Sequence, residues 1–319
     1  MPKNNIKPLL SIIILSYNTK DITINCLNSI LKDKGLCFNF KSATNDKKSP
    51  TEIIVVDNNS QDQSVEALKK FKQKHSQLQF KLIINKKNVG FARGNNQAIK
   101  IARGNYLLFL NSDTLILHSA ISQSLDWLSA HPHSSVCTAQ LLNQDKSIQA
   151  SGGFFPNLFN TFTWALGLDD LPLINKIIPP IHPHTPNFYT KDKFYTNDHP
   201  QDWVTGAFML IRQPVVSATQ GFDPSYFMYG EEIEWSYRIK KKFPQQSINY
   251  LIGPQIIHLG GASDNYSQNK LIREFQGMIA FFSKHKPVYQ QKLVKLFITT
   301  GILLRSLIKK DYRHLISKI

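Results

Sequence analysis

Four short runs of large apolar residues recur in the first third of the chain: LLSIIIL (9–15), EIIVV (52–56), FKLII (80–84) and YLLFL (106–110). None of them alternates with period two, and unbroken apolar runs of this length suit parallel strands covered on both faces. Between them, apolar positions fall at helical spacing. In 21–31 these are Ile24, Leu27, Ile30 and Leu31, with Asp21 as the expected N-cap, and segments 64–74 and 95–102 also read as helices. Strands alternating with helices over about 110 residues predict β-α-β units, hence an α/β fold with a mostly parallel central sheet flanked by helices. Segment 32–50 is polar and lysine-rich and is expected to be a mobile loop. Segment 151–202, rich in proline and aromatics, is expected to be a long irregular connection that shapes a binding site. Strand character returns in WVTGAFMLI (203–211), 231–242 reads as a helix, 247–252 and 255–258 as short strands, and the chain from 270 onward as helical.

Bulk properties narrow the classes. The 319 residues are 42% hydrophobic, enough for one large domain with a core, or one domain plus appendages. The net charge of +16 points to anionic partners: a nucleotide, nucleic acid or an anionic membrane face. No recognisable nucleic-acid module or basic–aromatic stripe supports nucleic acid as the partner. The three cysteines form no CxxC pair, which argues against a zinc site or disulfide framework and for a reducing compartment. No signal-peptide pattern and no run of about 18 apolar residues is present, so a cytoplasmic protein without a spanning helix is expected. The absence of GxGxxG after the first strand and of GxxxxGK[ST] weighs against Rossmann dinucleotide enzymes and P-loop NTPases.

Ligands of open α/β sheets bind beyond the carboxyl ends of the strands. Here the first, second and fourth strands deliver SYN, DNNS and NSD to that edge. Each alone is compatible with a helix cap or an Asx-turn. Together they describe one polar crevice.

The ordered set SIIILSYN, EIIVVDNNSQD, NVGFARGNNQAI, YLLFLNSDT and WVTGAFMLIR…GFDPSYFMYGEEIEWSYRIKKKFP resembles the family 2 glycosyltransferases with a GT-A fold. Within that family it is most similar to bacterial rhamnosyltransferases of cell-surface polysaccharide synthesis. The resemblance implies an inverting transfer from a nucleoside-diphosphate sugar, dTDP-rhamnose first and UDP-sugars (UDP-GlcNAc, UDP-Gal or Galf, UDP-Glc) second, to a glycan or lipid-linked acceptor. A non-catalytic sugar-nucleotide binder is the remaining alternative.

The leaving diphosphate must be neutralised, which a divalent cation, Mg²⁺ or Mn²⁺, does through oxygen ligands. By resemblance Asp113 stands at the metal-binding carboxylate of an Asp-x-Asp motif whose first acid is here Asn111, and His258 is a further metal or pyrophosphate contact. Tyr17 and Asp57 would face the base, by stacking and by accepting a pyrimidine N–H. The same motifs place Asn18, Asn59, Asn88, Gly90, Arg93 and Asn96 on the donor side, with Arg93 suited to a phosphate. The acceptor hydroxyl needs a general base. Glu232 stands where the family pattern has its basic Asp, one methylene longer, with Glu231 in reserve; acids in a first helical turn also suit the helix dipole without catalysis. Trp203, Gly206 and Glu234 would line the acceptor side. The expected organisation is a catalytic domain 1–265, nucleotide half 1–115 and acceptor half 116–265, followed by a helical extension 266–319. In 291–319 Leu293, Leu296, Phe297, Leu304, Leu307 and Ile308 share one helical side among Lys292, Lys295, Arg305, Lys309, Lys310 and Arg313. That pattern suits either peripheral contact with the anionic inner face of the cell membrane or packing on the domain.

Overall fold

The computed structural model describes residues 7–39, 49–169, 171, 174–183, 194–261 and 267–308. In chain order the elements are β1 (Leu10–Ser16), α1 (Lys20–Ile30), β2 (Leu36–Cys37), β3 (Ser49–Asp57), α2 (Ser64–Lys74), β4 (Phe80–Ile84), α3 (Phe91–Ile99), β5 (Tyr106–Asn111), β6 (Thr114–Ile116), α4 (Ala120–Ala130), β7 (Ser134–Leu142) and β8 (Ile148–Gln149). They continue with α5 (Leu158–Leu166), α6 (Ile174–Ile177), β9 (His199–Gln201), β10 (Phe208–Arg212), α7 (Gln213–Thr219), α8 (Glu231–Lys242), β11 (Ser247–His258), α9 (Ser267–His285) and α10 (Val288–Ile308).

The sheet runs β3-β1-β5-β10-β7-β11-β6, with β2 and β4 both paired to β3, β8 to β7 and β9 to β11. Strand β1 lies parallel between β3 and β5. The chain therefore builds outward from β1 to β3 and β4, then α3 carries it back to β5 on the other side of β1. That reversal opens a crevice beyond the strand ends, the usual ligand position in such sheets. Ile12 and Ile14 face one core layer with Leu27, Leu108 and Leu125. Ile13 faces the other, with Phe109, Phe222 and Trp235. Both faces of β1 are thus covered, which is why its sequence shows no alternation. A third apolar layer joins α5, α9 and α10 around Phe275, Phe281, Phe282 and Ile298.

The structure departs from the sequence pattern at several points. The N-cap of α1 is Thr19, with Asp21 in its first turn. Helix α3 starts at Phe91 rather than 95. Strand β10 begins only at Phe208, and Trp203 sits before it in an isolated bridge to Gly153. The two short strands at 247–258 are one strand whose register against β7 slips between Leu251 and Gln255. Pro254 lies in that slip, where a residue without an N–H costs the ladder nothing. The sheet is mixed, because β10 runs antiparallel to both neighbours and β6 antiparallel to β11. Elements β6, α4, β7 and β8 occupy 114–149, where the pattern predicts none. The supposedly irregular 151–202 contains α5, opened by an Asn157–Asn160 capping box. Of the loop expected at 32–50, residues 36–37 and 49–50 pair as strands and 40–48 lie outside the described residues.

Candidate functional site

A cavity of about 480 Å³ opens at the ends of β1, β3 and β5, walled by Tyr17, Asn88, Gly90, Asp113, Glu232 and His258 among others. The loops around it are pinned by asparagine side chains. Asn18, at φ 52°, accepts the Gln61 N–H at 2.7 Å and donates its own N–H to Ser60 Oγ at 2.9 Å, tying the SYN turn to DNNS. Asn58 is almost fully buried: its amide donates to Asn88 Oδ1 at 2.7 Å, and its Oδ1 accepts from Val89 N at 3.0 Å and Asn85 Nδ2 at 3.1 Å. This network shapes the 85–90 loop over the cavity mouth. Gly90 (φ 85°) brings that loop against the Phe227 carbonyl, where a Cβ would come within 2.5 Å. Asp57 is fully buried; Ser60 N–H reaches its Oδ1 at 3.0 Å, while Oδ2 meets no donor among the described residues. A buried carboxylate oxygen without a donor is costly unless a ligand supplies one.

Strands β6 and β11 pair antiparallel with Thr114 opposite His258, and this register brings the Asn111–Asp113 turn to the histidine. His258 Nε2 lies 3.4 Å from Asp113 Oδ1 and 3.2 Å from Asn111 Nδ2. On the other side of the ring, Nδ1 is 2.6 Å from Gln149 Oε1. The Gln149 amide is oriented by its own donation to Asn143 Oδ1 at 2.9 Å and to the His258 carbonyl at 3.3 Å. With Nδ1–H donating to Gln149, Nε2 keeps its lone pair, which the Asn111 amide N–H reaches at 3.2 Å with Asp113 Oδ1 alongside, and an outer partner on Nδ1 is typical of a metal-binding histidine. Two ligand atoms at right angles on a cation with ~2.1 Å bonds sit about 3 Å apart, so the Asp113–His258 pair fits a divalent cation whose remaining ligands would be phosphate oxygens. No group of three His, Cys, Asp or Glu side chains suited to a metal occurs among the described residues.

The opposite wall is the N-terminus of α8. Tyr229 (φ 72°) and Gly230 (φ 93°) turn the chain sharply into Glu231 and Glu232. Glu231 is 2% exposed, and its Oε2 meets no donor among the described residues. Burial first, and the neighbouring Glu232 second, push its carboxyl well above the ordinary range. Burial raises Glu232 as well, opposed by backbone N–H groups including that of Gly206, 3.2 Å from Oε1. Gly206 permits this contact: a Cβ there would come within 2.7 Å of Phe91 and 3.3 Å of Glu232 Oε1. Two adjacent acids so placed divide their roles. Backbone N–H donors at the helix N-terminus oppose the rise at Glu232, whereas Glu231 has its neighbour's charge added to its burial and is raised well above the ordinary range.

Glu232 also borders a second cavity of about 240 Å³, lined by Trp164, His182, Trp203, Thr205, Met278 and Phe281 among others. Trp203 is nearly buried, with its indole N–H donating to the Phe154 carbonyl at 3.2 Å and His182 edge-on at 4.8 Å.

Not every expected residue comes to the site. Glu234 points away, buried between Arg238 (2.8 Å) and His285 (3.0 Å), and those partners hold its carboxyl below the ordinary range. Arg93 is exposed and donates to the Pro224 carbonyl at 2.8 Å. Asn96 clamps the Phe222 backbone, donating at 2.6 Å and accepting at 3.1 Å. Asn59 takes a left-handed turn (φ 70°), and its carbonyl accepts from Gln61. None of these four lines either cavity, and of the other expected residues Asn18, Asp57 and Gly206 stand just behind the walls rather than in them. In turn, Asn58, Gln149, Tyr229, His182 and Lys270 line the cavities without having been singled out in the sequence. Asn58 and Tyr229 lie inside the motifs DNNS and MYGEE, which signal them; Gln149, His182 and Lys270 belong to no motif.

This fold, with a divided cavity at the strand ends, defines the class: it is the GT-A fold of glycosyltransferases. Two solved structures share it. One is the mannosyltransferase PcManGT from Pyrobaculum calidifontis in complex with GDP-Man and Mn²⁺ (TM-score 0.53, 14% identity, 98% of this chain and 75% of that one). The other is GalNAc-T7 with UDP, GalNAc and Mn²⁺ (TM-score 0.57, 12% identity, 93% and 56%). The family model "Glycosyl transferase family 2" matches residues 11–175, and the chain belongs to that family. Curated relatives include a poly(ribitol-phosphate) beta-glucosyltransferase of Bacillus spizizenii, 34% identical over 113 residues, 35% of this chain and 16% of that protein. Rhamnosyltransferase WbbL of Escherichia coli is 28% identical over 159 residues, 47% and 54% of the two chains. An N-acetylglucosaminyl-diphospho-decaprenol L-rhamnosyltransferase of Mycobacterium tuberculosis is 23% identical over 138 residues, 43% and 41%. The chain thus spans about half or less of each of these relatives.

Proposed function

We propose that the protein transfers a sugar, with inversion, from a nucleoside-diphosphate donor to a lipid-linked or glycan acceptor in cell-surface polysaccharide synthesis. L-Rhamnose from dTDP-rhamnose is the preferred donor reading, supported by the two rhamnosyltransferases among the relatives. The glucosyltransferase relative keeps UDP-sugars as the second reading. The work would take place on the inner face of the cell membrane. Residues 1–265 form the catalytic domain in this reading, with the donor in the 1–115 half, the acceptor in 116–265, and 266–319 as the extension.

The observation that carries the reading is one cavity with the Asp113–His258 pair on one wall and Glu232 on the other. Mg²⁺ or Mn²⁺, when bound there, neutralises the departing diphosphate. Asp113 and His258 Nε2 hold that end of the donor, Asn111 contributing an uncharged oxygen. Asp57 Oδ2 accepts the N3–H of a pyrimidine base, and Tyr17 offers its ring for stacking. Across the cavity, Glu232 takes the proton from the acceptor hydroxyl arriving through the second cavity, while Trp203 and Gly206 shape that approach. Burial and the neighbouring Glu232 raise the Glu231 carboxyl, which disfavours a second negative charge beside the donor.

Nucleoside-diphosphate release from a panel of dTDP- and UDP-sugars with Mn²⁺ tests this reading. We expect release with a pyrimidine donor, reduced at least ~100-fold in Asp113→Ala and in Glu232→Gln. Failure of every pyrimidine sugar-nucleotide to bind or turn over would overturn it.

A further inference from the structure

Helix α10 packs on the domain through one face and leaves a second apolar face bare. Val294, Ile298, Gly301 and Ile302 are buried toward α5 and α9. A Cβ on Gly301 would come within 1.9 Å of the Ala165 carbonyl, so the two helices touch backbone to side. Arg305 donates to the same carbonyl. The outer face carries Leu296 (59% exposed), Leu303 (47%), Leu304 (50%) and Leu307 (78%). These positions repeat at two turns, one residue and one turn, and form a single stripe. The stripe continues onto α5, where Phe162 meets Phe297 at 5.0 Å and Phe159, one turn earlier, is 74% exposed. Of the 13 large apolar side chains exposed among the described residues, 10 fall within 159–177 or 288–307. Such clustering marks an interaction surface rather than scattered surface apolars.

Charge selects the partner. Helix α10 itself (Val288–Ile308) holds three cations, Lys292, Lys295 and Arg305, and no Asp or Glu. A second copy docking stripe to stripe would set these cations against each other. An anionic bilayer attracts them while its acyl boundary takes the leucines and phenylalanines. No helix among the described residues is long and apolar enough to cross a membrane, so the helix would lie in the interface rather than span it.

We propose that α5 and α10 together form a docking platform for an anionic lipid bilayer, with Phe159, Phe162 and the α10 leucines inserted at the headgroup boundary. The inference rests on the proposed transfer to a lipid-linked acceptor for its purpose. Of the two, α5 also walls the second cavity: its Trp164 lines it beside Glu232, together with Met278 and Phe281 of α9, on which α10 packs. An acceptor anchored in the bilayer would thus present its head group to the base.

Co-sedimentation of the full chain with vesicles of phosphatidylcholine alone, or with a third phosphatidylglycerol, tests the platform without needing activity. We expect binding to the anionic vesicles only, weakened at least tenfold in Leu303→Ser/Leu307→Ser and, separately, in Phe159→Ser. These are exposed positions, and unchanged circular dichroism would show that folding is intact. The Phe159 variant discriminates the two-helix platform from a tail acting alone. No binding by the wild type, equal binding to neutral vesicles, or wild-type affinity in both variants would overturn the proposal. So would a wild-type dimer that the same variants convert to monomer without any vesicle binding, which would assign the face to a second copy. Thermal stabilisation by dTDP or UDP with Mn²⁺, measured in parallel, reports on the donor site, so that a failure of one reading is distinguishable from a failure of the other.

Discussion

Gln149 Oε1, 2.6 Å from His258 Nδ1, decides which ring nitrogen faces Asp113. Losing such an outer partner typically costs ~10–100-fold in metal affinity. Gln149→Leu is therefore expected to weaken Mn²⁺ binding by about tenfold in the presence of dTDP or UDP, and Gln149→Glu, which still accepts from Nδ1–H, to restore most of it. Calorimetric titration of Mn²⁺ reads this directly, and equal affinities in all three proteins would detach Gln149 from the site. Glu231 offers a prediction of another kind. Burial raises its folded pKa above the unfolded value. Across that interval the unfolded chain holds fewer protons, so the group's contribution to stability is present in acid and is lost as pH rises through the raised value. Glu231→Gln should accordingly melt higher than the wild type at about pH 8, by on the order of 2 °C, and nearly level with it at about pH 5. A wild-type melting curve indifferent to pH would argue against a retained proton. The raised Glu232 likewise moves the acid limb of any pH–rate profile above the ordinary carboxylate range.

At the scale of elements, Gly301 lets α10 lie against α5. Gly301→Val must push the helices apart, at a cost of about 1–3 kcal/mol in unfolding free energy, while leaving nucleotide affinity unchanged because neither Gly301 nor Ala165 lines the cavity that holds Asp113. Chemical denaturation and nucleotide titration of the variant separate the two effects. Of the elements that the sequence pattern predicts well, β1, β3 and β5 are apolar on both faces over most of their length, while the edge strand β4 is carried by its apolar run although only Phe80 is buried. Strand β7 was illegible for the opposite reason. SSVCTAQLL mixes polar and apolar residues, yet every one is buried, with Thr138 donating to the Phe208 carbonyl at 2.7 Å and Gln140 to the Tyr195 carbonyl at 3.2 Å. Helix α4 was readable in principle, since Ile121, Leu125 and Leu128 keep helical spacing and are buried. That Tyr17, Asp113 and His258 from the strand ends and Glu232 from the start of α8 line one cavity is legible because motif and topology agree on their placement. Glu234 and Arg93 were misplaced because a motif does not reveal which way a side chain leaves its helix.

For the whole molecule, β11 completes a site begun far upstream. Asn111 and His258 stand 147 residues apart in the chain and 3.2 Å apart in space, and Leu259 N–H closes on the Asp113 carbonyl at 2.9 Å. A contact of such sequence separation forms late, after the local units have paid their entropy. A nascent chain would therefore expose Asp113 for a long interval of synthesis without a partner histidine, and competence to retain a cation would arrive only when β11 docks against β6. In the finished protein, a donor with its cation would bridge 113 and 258 like a reversible clasp. Slower hydrogen exchange at the 256–259 amides on adding dTDP or UDP with Mn²⁺, and not with either alone, is what such a clasp would produce.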